Sequence, residues 1–376
     1  MEAFAADTGL TDAAREPRRY LWTDAFAVCN FLELHRQTGE QAYLDLALRL
    51  VDQVHEVLGR HHPESGREGW LSGLDDEEAK KHPTLGGLRI GKKHNERQPD
   101  EPYDAALEWD RDGQYFHYLT KWMHALNAVA RETGNGLFHH WARELARVAH
   151  AAFTYVMADG DRRMYWKMSA DLSRPLVLSM GQHDPLDGWL TFTELQATGL
   201  RFGEWARPSL TTEIVEMAGM CAGQRWTTTD SLGIGGLLSD AWRLTQLVSR
   251  HHLPESDRLA ALMEDIDISV QGFLQQNTLN YPIEYRLAFR ELGMSIGLHG
   301  LEKMVRQFDS APESFEDVAR LRDLASRLLR YSPMRGMIEA YWLDSEHQRS
   351  PGWRDHEDIN RVMLATTLAP DSFLRV

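Results

Sequence analysis

Arg36-Gln37-Thr38-Gly39 recurs as Arg131-Glu132-Thr133-Gly134, and each copy closes one amphipathic stretch and precedes another. A glycine at that place suits a helix C-cap in the left-handed conformation. Residues 20–37 form the stretch that Thr38-Gly39 closes and 41–60 the one after it, with Tyr43, Leu44, Ala47, Leu48, Val51, Val54 and Leu58 at helical spacing. Residues 114–132 and 137–157 flank the second copy, and Phe138, Trp141, Leu145, Val148 and Phe153 repeat the pattern. Steps of three and four residues put such side chains on one helix face. A helical hairpin that repeats is a statement about the fold as a whole.

Less regular pairs follow: 185–199 with 208–225, 231–251 with 255–276, and 285–308 with 313–331. A last helix near 355–367 lacks a partner, and the helix-like segment 2–15 could supply it. The expected class is therefore all-α, an (α/α)6 barrel of six hairpins closed into a toroid, with a long inserted loop at about 62–113. An open stack of helix pairs is the alternative. The unequal connections favour the closed form. A loop of that length in a compact domain is usually functional, and Trp70, Tyr103 and the glycines at 86–91 suggest an ordered lid or cleft wall. No Ser/Gly-rich or Pro-rich linker divides the 376 residues, so one domain over 1–376 is expected.

The net charge of −15 argues against nucleic acid as a partner, because phosphate binding needs clustered Lys and Arg. No apolar run reaches the roughly 18–20 residues of a membrane span, and the start lacks the basic and apolar regions of a signal peptide. Cys29 and Cys221 fall within helical patterns and read as small buried hydrophobes. A reducing, cytoplasmic compartment is expected. His-x3-His, His-Glu-x2-His and paired Cys-x2-Cys are absent, so no metal is expected. Walker, dinucleotide-binding and Gly-x-Ser-x-Gly patterns are absent too, so no cofactor is expected. The expected partner is a small-molecule or oligosaccharide substrate, with self-association left open.

The chemistry is expected at the helix starts. Glu108-Trp109-Asp110-Arg111-Asp112 leads into Tyr115 and His117. Three carboxylates so close in a shielded cleft cannot all ionise freely, so one should act as a general acid, Asp112 or Asp110. An Asp before a helix is equally a favoured N-cap. In His183-Asp184-Pro185-Leu186-Asp187, the proline suits the first turn and Asp184 the N-cap, leaving His183 and Asp187 for the cleft. Trp166 and Lys167 add an aromatic and a cation. Trp353, Asp355, His356 and Glu357 crowd the last helix start, and Trp22 and Asp24 the first. Asp187, Asp355 or Glu357 would activate water, and Trp22, Trp70, Trp109, Tyr115 and Trp353 would stack on sugar rings. His117 and His124, seven apart, share a helix face, and His299 lies in a Gly-Leu-His-Gly segment.

The repeated hairpins, the Trp22-Thr23-Asp24 at the first inner helix and the Trp109-Asp110-Arg111-Asp112 at the second resemble the six-hairpin glycosidases and the related N-acylglucosamine 2-epimerase-like proteins. The glycosidase branch implies a carboxylate pair that cleaves a glycosidic bond. The epimerase branch implies two histidines on inner helices that shuttle a proton, for which His117, His183 and His299 are candidates. The many carboxylates favour the hydrolase, with the epimerase second and a non-catalytic helical-repeat binding protein third.

Overall fold

The computed structural model describes residues 1–12 and 14–376, without the side chains of Glu204 and Ala206. The chain forms two compact units, one of Glu2–Ala222 and one of Gly223–Val376 with Met1. Both are all-α in their main elements, as the sequence predicts, with short strands only in the first.

In the first unit, α1 (Leu21–Thr38) pairs with α2 (Gln41–Leu58), α3 (Phe116–Thr133) with α4 (Gly136–Phe153), and α5 (Asp184–Thr198) with α6 (Thr211–Cys221). The two repeated glycines do what their position predicts. Gly39 and Gly134 sit at φ 74° and 71°, and their amides donate to the carbonyls of His35 and Ala130. Two kinds of helix alternate. Every residue from Leu21 to Glu33 in α1 and from Asp184 to Leu195 in α5 is buried. By contrast, α2 buries one stripe, Ala47, Leu50, Val51, Val54, His55 and Leu58. A helix buried on all sides is an inner helix, and a one-striped helix covers it. The inner helices α1, α3 and α5 lie side by side in that order.

The 62–113 connection is ordered. Its segment at 88–91 threads between helix starts: the Arg89 amide donates to Leu58 O, Ile90 N–H to Gly113 O, and Leu21 N–H to Ile90 O. Two short helices, Asp76–Lys81 and Ala105–Asp110, punctuate it, each capped by an aspartate, Asp75 and Asp104. Among the described residues of 2–15, helix covers Glu2–Asp7, and 137–157 stops at Phe153, where β2 (Thr154–Val156) begins after β1 (Gln114–Tyr115). β2 pairs with β3 (Arg162–Met164). β4 (Lys167–Met168) lies between β1 and β5 (Pro175–Val177). Cys29 and Cys221 are buried, and burial pushes the Cys29 thiol up to about 12.

In the second unit, α7 (Ser231–His251) pairs with α8 (Ser256–Gln276), and α9 (Ala288–Ser310) packs against α7, α10 (Val318–Leu329), α11 (Pro333–Leu343) and α12 (Glu357–Leu368). The α11 helix is missing from the sequence reading. Its proline start follows α10 after three residues, and Arg335 and Glu339 interrupt its apolar face. The α7–α9 crossing is glycine-mediated: a Cβ on Gly235 would overlap the Gly293 carbonyl, and one on Gly297 would meet the Gly235 carbonyl at 2.5 Å. Gly235→Ala is expected to cost at least about 1–3 kcal/mol of overpacking, read in a denaturant melt. No change in the midpoint would mean that the crossing relaxes freely. Among the described residues no helix is long and apolar enough to cross a membrane.

Candidate active site

A polar seam runs between α3 and α5. Residues three and four apart share a helix face, and α3 offers His117, Thr120, Lys121, His124, Asn127 and Arg131 along one such face. Facing them, α5 offers Asp184, Asp187 and Glu194. The contacts advance together along both helices. His117 Nδ1 lies 3.5 Å from Asp184 Oδ1. The Thr120 hydroxyl donates to Asp187 Oδ2 at 2.5 Å, and Lys121 Nζ is 2.8 Å from both Asp187 oxygens. Glu194 accepts from Asn127 Nδ2 at 2.8 Å and Arg131 at 3.1 Å, with His124 Nδ1 at 3.0 Å.

The N-terminal end of the seam has unusual electrostatics. Asp184 is the first residue of α5. It is not its N-cap, since His183 holds that place without a side-chain cap bond. The Asp184 carboxyl is buried, and its Oδ2 has no hydrogen-bond partner among the described residues. Burial, then the negative charge of Asp187, push its pKa up to about 7, against a smaller opposing pull from Lys121. Removing a charged group from water disfavours its charged form, so Asp184 keeps its proton near neutral pH. Loss of water around its buried Nδ1 pushes His117 down to about 4, although the side chain as a whole is half-buried, so that ring is neutral there. Its Nδ1 also lacks a hydrogen-bond partner among the described residues. Below about pH 7 a protonated carboxyl and a neutral imidazole thus face each other at 3.5 Å.

Aromatic rings lead from that pair to the surface. The β1–β4 register sets Tyr115 opposite Lys167, beside Trp166. Tyr115 stacks on His117 with centroids 5.3 Å apart and touches Trp166 at 5.2 Å. Trp166 meets the edge of Trp109 at 5.2 Å, and Trp109 is 53% exposed. The structure therefore brings together Trp109, Tyr115, His117, Trp166 and Asp187 from the sequence-derived set.

Other members of that set have different duties. Asp112 is fully buried. It pairs with Arg89, and its Oδ1 accepts from the amides of Gly91 and Gly113 at 3.0 Å, so it ties the long connection to the start of α3 and is not presented to a cleft. Glu108 is held by Lys167 at 2.9 Å and Arg97 at 3.1 Å. Asp24 closes the first turn of α1 by accepting from Tyr20 N at 2.9 Å, beside Arg19. Asp110 is exposed on a pocket of about 630 Å³ walled by Glu64, His94, Glu96, Glu101 and Arg111. Four of the five proposed stacking platforms are buried instead, Tyr115 among them, beneath His117 and Trp166. Trp22 packs on Phe26, Trp70 donates to Asp76 beneath Arg60, and Trp353 stacks on Trp342. A large apolar ring finds more to bury in a core than in water, which sequence proximity to acids does not reveal.

In the second unit, Glu357 pairs with Arg361 one turn on, Asp355 is exposed at the end of a short helix, and His356 is exposed with its edge on Phe289. His299 is engaged on both nitrogens. Arg335 can only donate to Nδ1, so Nε2 carries the proton and donates to Glu339 at 3.0 Å. Ser295 and Thr367 donate to the same Glu339 oxygen, making a junction of α9, α11 and α12.

Sequence reasoning passed over Asp184, Thr120, Lys121 and Glu194. The signal was there, in acids at 184, 187 and 194 on one helix and cations or amides at 121, 124, 127 and 131 on another. What it lacked was the pairing of the two helices.

No family model matches the chain, and no curated protein does. Among solved structures the chain is similar to cellobiose 2-epimerase from Spirochaeta thermophila DSM 6192, at 14% identity and a TM-score of 0.49, over 95% of this chain and 87% of that one. It is also similar to cellobiose 2-epimerase from Bacillus thermoamylovorans B4167, at 11% identity and a TM-score of 0.49, over 97% and 95%. A sugar epimerase from a ruminal bacterium matches at 12% identity and a TM-score of 0.39, over 93% and 87%.

Proposed function

We propose that this chain is a sugar epimerase or isomerase that moves a proton at carbon, with His117 and Asp184 as its acid–base couple. The observation that carries this reading is the buried Asp184 carboxyl, with its pKa near 7, facing the neutral ring of His117. A general acid or base works best when its pKa lies near the working pH. Two groups this close titrate as a pair. Asp184 is shielded while the His117 side chain is 31% exposed, so His117 meets the substrate, and as its Nε2 gives a proton up Asp184 replaces it at Nδ1 from behind. Lys121 and Thr120 hold Asp187 in place, and its charge adds to burial in keeping the Asp184 proton on. Trp109 and Trp166, backed by the buried Tyr115, give a sugar apolar faces to lie against.

Of the acids first nominated for hydrolysis, Asp112, Asp187 and Glu357 sit in ion pairs, while Asp110 and Asp355 are exposed. Hydrolysis remains a second reading on one observation: Asp184 protonated and Asp187 charged, three residues apart, are two carboxyls driven to different states.

Incubation with free aldoses, ketoses and disaccharides in heavy water, followed by proton NMR, separates the two. The expected result is deuterium at a sugar carbon without cleavage, lost in His117→Gln and in Asp184→Asn. Cleavage without exchange would move the assignment to hydrolysis. Exchange that persists in both variants would remove these residues from the chemistry.

A further inference from the structure

We propose that His82, His140 and Glu144 form a binding site for a divalent transition-metal ion of the zinc class, pinning the long connection to α4. One ligand atom from each residue lies within 4.8 Å of the other two. His140 and Glu144 are four apart on α4 and so share its face. His82 ends the short helix Asp76–Lys81 in the connection and reaches the same point, with Nδ1 2.7 Å from Glu144 Oε2. Two imidazoles and a carboxylate are a donor set that suits zinc, with ligand atoms about 3.3 Å apart around a tetrahedral ion. The His82 side chain is 39% exposed, so it can swing to admit an ion between itself and Glu144.

The surroundings look built for ligation. The Thr84 hydroxyl shares its one proton between the other Glu144 oxygen at 2.7 Å and the Trp141 carbonyl at 3.0 Å, which favours turning Oε2 to the histidines. Such outer partners orient ligands and tune affinity. Trp141 Nε1 donates to Lys81 O at 2.8 Å, so the two backbones are already held at the right separation. The nearest cation on the same helix, Arg143, is turned to the carbonyls of Leu195 and Pro208, at 3.1 and 2.6 Å. The sequence motifs could not find this site. The ligands follow a His-x3-Glu pattern, and the third comes from a distant loop.

The test uses the full chain stripped with a chelator. Zinc titration by calorimetry is expected to show one tight equivalent, and copper(II) in its place should show two nitrogen ligands by electron paramagnetic resonance. His140→Gln and the more exposed His82→Gln should each abolish that equivalent, while His35→Gln, a control on the far end of α1, leaves it intact. Thr84→Val should weaken it about 10-fold. Zinc should also raise the melting temperature of the unsubstituted protein and not of the two histidine variants. Absence of a saturable single equivalent, or an equivalent that survives unchanged in both His82→Gln and His140→Gln, overturns the proposal.

Discussion

Asp184→Asn is expected to melt higher than the unsubstituted protein at pH 8 while losing turnover. The unfolded chain releases this proton near the ordinary aspartate value of about 3.9, whereas the folded chain keeps it up to about 7. Between those values the folded state binds more protons than the unfolded state, so stability falls as pH rises. The loss is complete once pH passes the folded value. Three units at 1.36 kcal/mol each come to about 4 kcal/mol, taken as an order of magnitude. Asparagine keeps the shape of the neutral acid and has no proton to lose. The gain should be near zero at pH 4 and should grow to several degrees at pH 8. Parallel melting curves for the two proteins across that range would show that Asp184 is an ordinary ionised aspartate. Gain in stability with loss of function is what a site strained for chemistry predicts.

Glu194→Ala is expected to cost about 3–5 kcal/mol, the scale for breaking a buried ion pair by removing one partner. Glu194 is fully buried, and its loss would take the carboxylate from Arg131, the Asn127 amide and the His124 ring at once. Because Glu194 fixes the register of α5 against α3, the same change should disturb the His117–Asp184 pair at the other end of the seam. Urea melts measure the first effect. A loss below about 1 kcal/mol would mean that water replaces the carboxylate, as it does for exposed pairs.

The fold was legible where a physical rule acts locally. Gly39 and Gly134 announce left-handed caps, and the stripes of α2 and α4 announce covered faces. The inner helices were legible as helices but not as wholly buried ones, because Asp184, Asp187 and Glu194 look like surface acids until α3 supplies their partners. The same limit governed the site. Asp112 and Asp184 each precede or open a helix and are indistinguishable in sequence. Arg89, from the long connection, neutralises the first, while among the described residues the second feels only the weaker pull of Lys121. Trp109 and Trp353 likewise both neighbour acids, and only packing sends one to the surface and the other beneath Trp342.

The protonation state of Asp184 can be measured without knowing the substrate. Carbon-13 NMR of aspartate-labelled protein, titrated from pH 4 to pH 9, should show one carboxyl with a midpoint near 7 that disappears in Asp184→Asn. A spectrum in which every aspartate that titrates does so in the ordinary carboxylate range would contradict the acid–base couple on which the proposed function rests.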